Sequence, residues 1–85
     1  MWFVYILECA DKTLYAGITT NLNRRINEHN AGKGGAYTNA HRPIKLVYKE
    51  SHKTRSRALK HEAQIKSWSR IKKLALISQT NSLAI

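Results

Sequence analysis

The sequence is poor in cysteine, proline, glycine and acid. One cysteine in 85 residues excludes an internal disulfide and any zinc site built from several thiolates, so Cys9 reads as a small hydrophobe in a reducing compartment. A single proline and four glycines, beside 42% hydrophobic residues, exclude a low-complexity or disordered chain. Nothing approaches the length of a membrane span. The apolar run at Trp2–Leu7 is too short, too aromatic and too β-branched for a signal peptide, and no basic leader precedes it. Cytoplasm is therefore the expected location, with no membrane partner. Acid is the scarcest commodity: five Asp plus Glu stand against fifteen Lys plus Arg, a formal net charge of +10. So much charge on so small a surface calls for a polyanionic partner, nucleic acid first, although a basic ribosome-associated protein satisfies the same balance. No segment joins a long apolar face to a basic one, as an interfacial helix would.

A chain of this length buries at best about two-thirds of its unfolded surface. One domain with one small core is expected over residues 1–78, as a monomer, with 79–85 as a disordered tail. There is no internal repeat.

Trp2 to Leu7 is continuously apolar, which marks a strand covered on both faces and central in its sheet. Leu14 to Ile18 resumes as a second strand after the polar break at Asp11-Lys12, and the short gap predicts a β-hairpin. Two registers are open. A three-residue loop pairs Cys9 with Thr13 and puts Tyr5 and Tyr15 on one face; a two-residue loop puts them on opposite faces. Thr19-Thr20 offers a hydroxyl cap for a helix through Asn30, with Leu22, Ile26 and His29 as its inward stripe and Arg25 one turn before His29. Gly32-Lys33-Gly34-Gly35 ends that helix, and Tyr37 is the large apolar residue of the loop that follows. Pro43 opens a third strand, Ile44 to Glu50, with Lys45 and Lys49 outward on an edge. Thr54 or Ser56 can cap a long helix in which Ala58, Glu62, Ile65 and Ser69 share one side. A break near Ser67–Ser69 precedes a further helical pattern through Ile71, Leu74, Ala75 and Ile77. The whole is an α/β fold: a small three-stranded, mainly antiparallel sheet flanked by helices, in the order β-β-α-β-α-α.

Glu62 lies on an otherwise apolar helical face, where a carboxylate costs free energy unless it is paired, hydrogen-bonded or bound to a metal. An ion pair with Arg25 that merely ties two helices together is one reading; a site is the other. Convergence favours the site. Two tyrosines, an arginine, a histidine and one acid on a single sheet face supply a phosphate clamp, an acid–base pair and a seat for a hard cation.

These residues also carry a family likeness. Phe3-Val4-Tyr5, ten residues before Tyr15-Ala16-Gly17, followed by Arg25, His29 and Glu62, resembles the GIY-YIG nuclease domain, and most closely its small stand-alone bacterial members. The likeness runs from Trp2 to about Ile77. It implies a hydrolytic endonuclease acting on DNA, or on RNA, with one divalent metal, Mg²⁺ or Mn²⁺, on Glu62 and the scissile phosphate held by Arg25. Tyr5, Tyr15 and His29 would surround the attacking water, one of them as general base. Gly17 would leave room opposite Tyr5 for the substrate backbone, and Lys33, Tyr37, Arg42 and Lys66 are further substrate-binding candidates. The chain has Ile18 where several family nucleases carry a lysine, and Leu74 where they carry a polar amide. Because it also has no appended DNA-binding domain, a protein partner supplying specificity is expected. A nucleic-acid-binding module of the same fold, weak or inactive in catalysis, is the competing expectation.

Overall fold

The fold is described from a computed structural model covering residues 1–33, 42 and 44–83, with side chains up to residue 79. Strands β1 (Trp2–Glu8) and β2 (Leu14–Thr19) are followed by helix α1 (Leu22–Asn30), strand β3 (Lys45–His52), and helices α2 (Arg55–Lys66) and α3 (Arg70–Leu83). The sheet order is β2-β1-β3, antiparallel throughout. As the unbroken apolar run requires, β1 is central, and Val4, Tyr5, Ile6 and Leu7 are each at most 1% exposed. Side chains alternate across a strand. Val4 and Ile6 therefore join Ala58, Ile65 and Ile77 beneath the C-terminal helices, while Tyr5 and Leu7 join Cys9 and Ile44 beside Leu22 and Ile26 of α1. Each fully buried aliphatic side chain here contributes roughly 1.5–3 kcal/mol.

The hairpin loop resolves the register. Cys9 N–H donates to the Thr13 carbonyl and Lys12 N–H to that of Cys9, both at 2.9 Å, so the loop has three residues, Ala10 to Lys12. Lys12 takes the left-handed position (φ 72°) that such loops need at their end. The Asp11 carboxylate fastens the turn, accepting from Thr13 N–H at 3.1 Å and from its hydroxyl at 2.6 Å. Tyr5 consequently pairs with Gly17 and Leu7 with Tyr15, and both tyrosines project from one face.

Three boundaries differ from the sequence expectation. The cap of α1 is Asn21, whose side chain accepts from Arg24 N–H at 3.0 Å. Thr19 instead bonds Asn21 N–H at 3.2 Å, because Asn21 is the residue with extended backbone just before the helix. Strand β3 runs past Glu50 to His52, since Trp2 and Phe3 of β1 still have pairing groups to fill and take His52 and Ser51. Helix α3 continues past Gln79 to Leu83, where a tail was expected; extending an existing helix is far easier than starting one. Thr54 caps α2, and the expected break at Ser67–Ser69 separates it from α3. Of the apolar pattern beyond it, Ile77 is buried and Ile71 is 81% exposed. Among the described residues no helix is long and apolar enough to cross a membrane.

Candidate active site

The β1–β2 register and one turn of α1 assemble the site. Tyr5 comes from the centre of the sheet, Tyr15 and Gly17 from the strand beside it, and Arg25 and His29 from consecutive turns of the helix that covers this face. The Tyr5 hydroxyl lies 3.3 Å from His29 Nε2, and the Arg25 guanidinium acts electrostatically on the same phenol. Arginine can only donate. With His29 neutral, the phenol O–H can donate to the Nε2 lone pair and leave its oxygen facing the guanidinium. The Tyr15 ring meets His29 edge-on, with centroids 5.4 Å apart.

The electrostatics agree with that assignment. His29 is fully buried; burial first, then the charge of Arg25, holds its pKa below the ordinary histidine value, against a smaller opposing pull from Glu28. Burial raises the Tyr5 pKa, with Arg25 opposing and the charges of Tyr15 and Glu62 adding to the rise. Interaction with Tyr5 in turn raises that of Arg25. At neutral pH the cluster is thus a neutral imidazole, a neutral phenol and a fixed cation.

Arg25 forms an ion pair with Glu28 at 3.6 Å, a partner the sequence reading did not name. Glu62, one turn from Ala58 and Ile65 on α2, is mostly withdrawn from solvent, with its side chain 15% exposed and Lys66 Nζ at 3.6 Å. Its charge nevertheless reaches Tyr5 from the other helix. A partly desolvated carboxylate fits a hard cation whose other ligands are water and phosphate oxygens.

The remaining candidates are more scattered. The space above Gly17 is taken by Tyr5 itself, because a Cβ there would lie 2.5 Å from the phenol oxygen. A bare glycine opposite an aromatic residue leaves room that the ring fills from within, so it is not open to substrate. Lys33 is exposed just beyond α1. Arg42 donates to the Asn30 carbonyl at 3.1 Å, next to the end of that helix, and Lys66 is drawn to Glu62. Tyr37 lies outside the described residues. Ile18 packs against the Val4 core and Leu74 is 39% exposed, so neither brings a polar group to this face. Glu50, His52 and His61 form a second polar cluster that the sequence reading passed over; ending β3 at Glu50 hid the alternation that puts His52 beside it.

Comparison with known proteins covers almost the whole chain. Residues 1–75 match the family model of the GIY-YIG catalytic domain. The chain is 58% identical to a UPF0213 protein of Syntrophus aciditrophicus over 78 residues, spanning 91% of this chain and 90% of that one. It is 48% identical to a UPF0213 protein of Staphylococcus aureus over 77 residues, 91% and 94% of the two chains. The solution NMR structure of a UPF0213 protein from Bacillus halodurans superposes with a TM-score of 0.61 at 41% identity, covering 93% of this chain and 85% of that one. A protein of E. faecalis, also solved by NMR, gives 0.63 at 36% identity, covering 93% and 84%. With the paired tyrosine strands, the arginine–histidine helix and the distant glutamate all within the matched span, this chain belongs to the GIY-YIG catalytic-domain family, a family of nucleases.

Proposed function

We propose that the protein is a divalent-metal-dependent endonuclease that hydrolyses DNA phosphodiester bonds, acting in the cytoplasm on branched or damaged DNA in repair or recombination. The observation that carries this reading is the Tyr5 phenol held between Arg25 and His29. In it, a proton acceptor and a phosphate-binding cation meet at one oxygen. Nucleases of this family are generally metal-dependent, and Glu62 would hold the ion, with Mg²⁺ or Mn²⁺ as its natural occupants; bound there, the metal supplies charge stabilisation to the phosphate and the leaving oxygen.

The chain's own residues do the rest. Arg25 binds two phosphate oxygens and neutralises charge that grows as water attacks phosphorus. Tyr5 takes the water proton as it passes its own to His29 Nε2, so neither a free phenolate nor an imidazolium is needed at the start. Tyr15 keeps the His29 ring in place. Substrate affinity comes from Lys33, Arg42, Lys66 and the general basic surface, with a protein partner adding specificity.

Incubation with branched, nicked and linear DNA in Mg²⁺ or Mn²⁺ tests this. The expected outcome is cleavage by the wild type that Glu62→Ala abolishes and Arg25→Ala slows severely. Equal cleavage by all three proteins would reveal a contaminant and remove the assignment. A second reading, a DNA- or RNA-binding module that does not cut, is favoured by apolar Ile18 and Leu74 standing where family nucleases carry polar groups. Salt-dependent binding without turnover on any substrate selects it.

A further inference from the structure

On the sheet face opposite Tyr5, Glu50 gathers two histidines from different elements. The pairings Trp2 with His52, Val4 with Glu50 and Ile6 with Tyr48 put Tyr48, Glu50 and His52 on the face covered by α2, from which His61 reaches them. Glu50 Oε2 lies 2.6 Å from His52 Nε2 and 2.5 Å from His61 Nδ1, and the three ligand atoms all lie within 4.8 Å of one another. All three residues are half-buried. Their supports are also in place. The Tyr48 hydroxyl donates to the other Glu50 oxygen at 2.8 Å, the His52 and His61 rings meet edge-on with centroids 5.7 Å apart, and His61 stands edge-on to Trp68.

We propose that Glu50, His52 and His61 bind a transition-metal ion of the Zn²⁺ class, separate from the cation of the active site. Two imidazole nitrogens and one carboxylate oxygen suit zinc and its neighbours, whereas Mg²⁺ and Ca²⁺ select oxygen. With metal–ligand bonds of about 2.0–2.2 Å, tetrahedral ligands stand roughly 3.3 Å apart, so the carboxylate has to draw back from each ring by less than about 1 Å. Each imidazole turns the lone pair of the named nitrogen to the ion and carries its hydrogen on the other nitrogen. Tyr48 orients the carboxylate from behind, as supporting residues do at metal sites. The fourth position opens to a cleft lined by His52, Arg57, Lys60, His61 and Gln64, where water or a small anion completes the shell. The bound ion fastens the β3 edge to α2.

The test is titration of the metal-stripped full chain with Zn²⁺, and with Co²⁺ for its visible absorption. One ion per chain is expected in the wild type and in Glu62→Gln, which separates this site from the proposed catalytic one. The double variant His52→Gln/His61→Gln, shown to be folded by circular dichroism, should lose more than the roughly 10–100-fold that removal of a supporting residue costs. Equal binding by that variant, or no stoichiometric binding by the wild type, overturns the proposal. NMR of the wild type gives an answer independent of any variant's folding. Zn²⁺ must shift the ring signals of His52 and His61, and a response confined to His29 or His41 also overturns it.

Discussion

Tyr5 and Gly17 occupy one space: a Cβ added at Gly17 would lie 2.5 Å from the Tyr5 oxygen and 2.6 Å from the ring carbon that bears it. The cross-strand pairing of these residues lays the ring over the bare backbone, which fixes where the hydroxyl meets Arg25 and His29. Gly17→Ala should therefore act on the site through Tyr5. The expected cost is about 1–3 kcal/mol, the range for overpacking a filled interior, together with loss of cleavage. In a Tyr5→Leu background the same change should cost at least about 1 kcal/mol less, since residues in contact are coupled. Urea unfolding of the four proteins measures this, and simple additivity would show that the ring is not what excludes a side chain.

Arg25 brings a fixed cation to the cluster, so its removal should fall on rate more than on stability. Arg25→Ala is expected to slow cleavage by roughly 10²–10³-fold, the loss usual when one preorganised donor to a developing oxyanion is removed. Arg25→Lys should recover little of that, because a point charge cannot make two parallel hydrogen bonds. Single-turnover kinetics at saturating metal decide it. Full recovery by lysine would mean that Arg25 acts only through its charge.

His29 should give stability, and under the proposed function cleavage, a pH dependence whose sign follows from its lowered pKa. Its pKa is lowered on folding by burial and by Arg25, so the folded state binds fewer protons than the unfolded state. The associated stability is whole above about pH 6.5, the unfolded value, and falls as the pH drops below it. Under the proposed mechanism cleavage uses the neutral imidazole, so it should rise with pH through the lowered pKa and level off near neutrality. His29→Gln should flatten the stability slope between about pH 5 and 7, as read by urea midpoints. An NMR titration of the wild-type ring with its midpoint at or above the free-histidine value would contradict both expectations.

How much of this was legible in the sequence depends on what each residue's signal measures. The central place of β1 could be read directly, because a run with no polar residue has to be covered on both faces. The tyrosine register could not. It turns on Lys12 adopting φ 72°, in a loop where asparagine or glycine would have announced the turn, and the only clue was Asp11 poised to bond Thr13. Arg25 and His29 were recognisable as neighbours by helical spacing, whereas the contact of Arg25 with Tyr5 rests on tertiary packing that spacing does not encode. The Glu50–His52–His61 cluster was hidden for another reason. Ser51 and His52 are polar residues on an edge strand, where burial no longer enforces a pattern, so nothing in composition marked the strand as continuing.

Lys12 itself is a test of the hairpin. A left-handed backbone costs a residue with a Cβ about 1–2 kcal/mol relative to the right-handed conformation, while glycine pays no such penalty but frees the unfolded chain. On balance Lys12→Gly should stabilise the protein by roughly 0.5–1 kcal/mol, even though it removes the long contact of Lys12 with Glu8 at 3.9 Å. Its cleavage rate should be unchanged, because the register is retained. A destabilised Lys12→Gly protein in urea would mean that the loop is not held in this conformation.

The last prediction concerns how the basic residues of this domain would hold DNA under the proposed function. A formal charge of +10 supports binding through phosphates, and such binding weakens with salt in proportion to the number of phosphates neutralised. Lys33 is exposed just beyond α1, and Arg42 is anchored to the Asn30 carbonyl at the end of the same helix; the two flank the end of α1 that carries His29. If substrate crosses the Tyr5 face, Lys33→Ala and Arg42→Ala should each reduce the slope of log affinity against log salt by about 1 and weaken all DNA sequences alike. Arg70→Ala, whose position opens α3, should leave the slope unchanged. Fluorescence anisotropy at a series of salt concentrations reads the slopes directly. A reduced slope for Arg70→Ala with none for Lys33→Ala and Arg42→Ala would move the DNA path to the other face of the sheet.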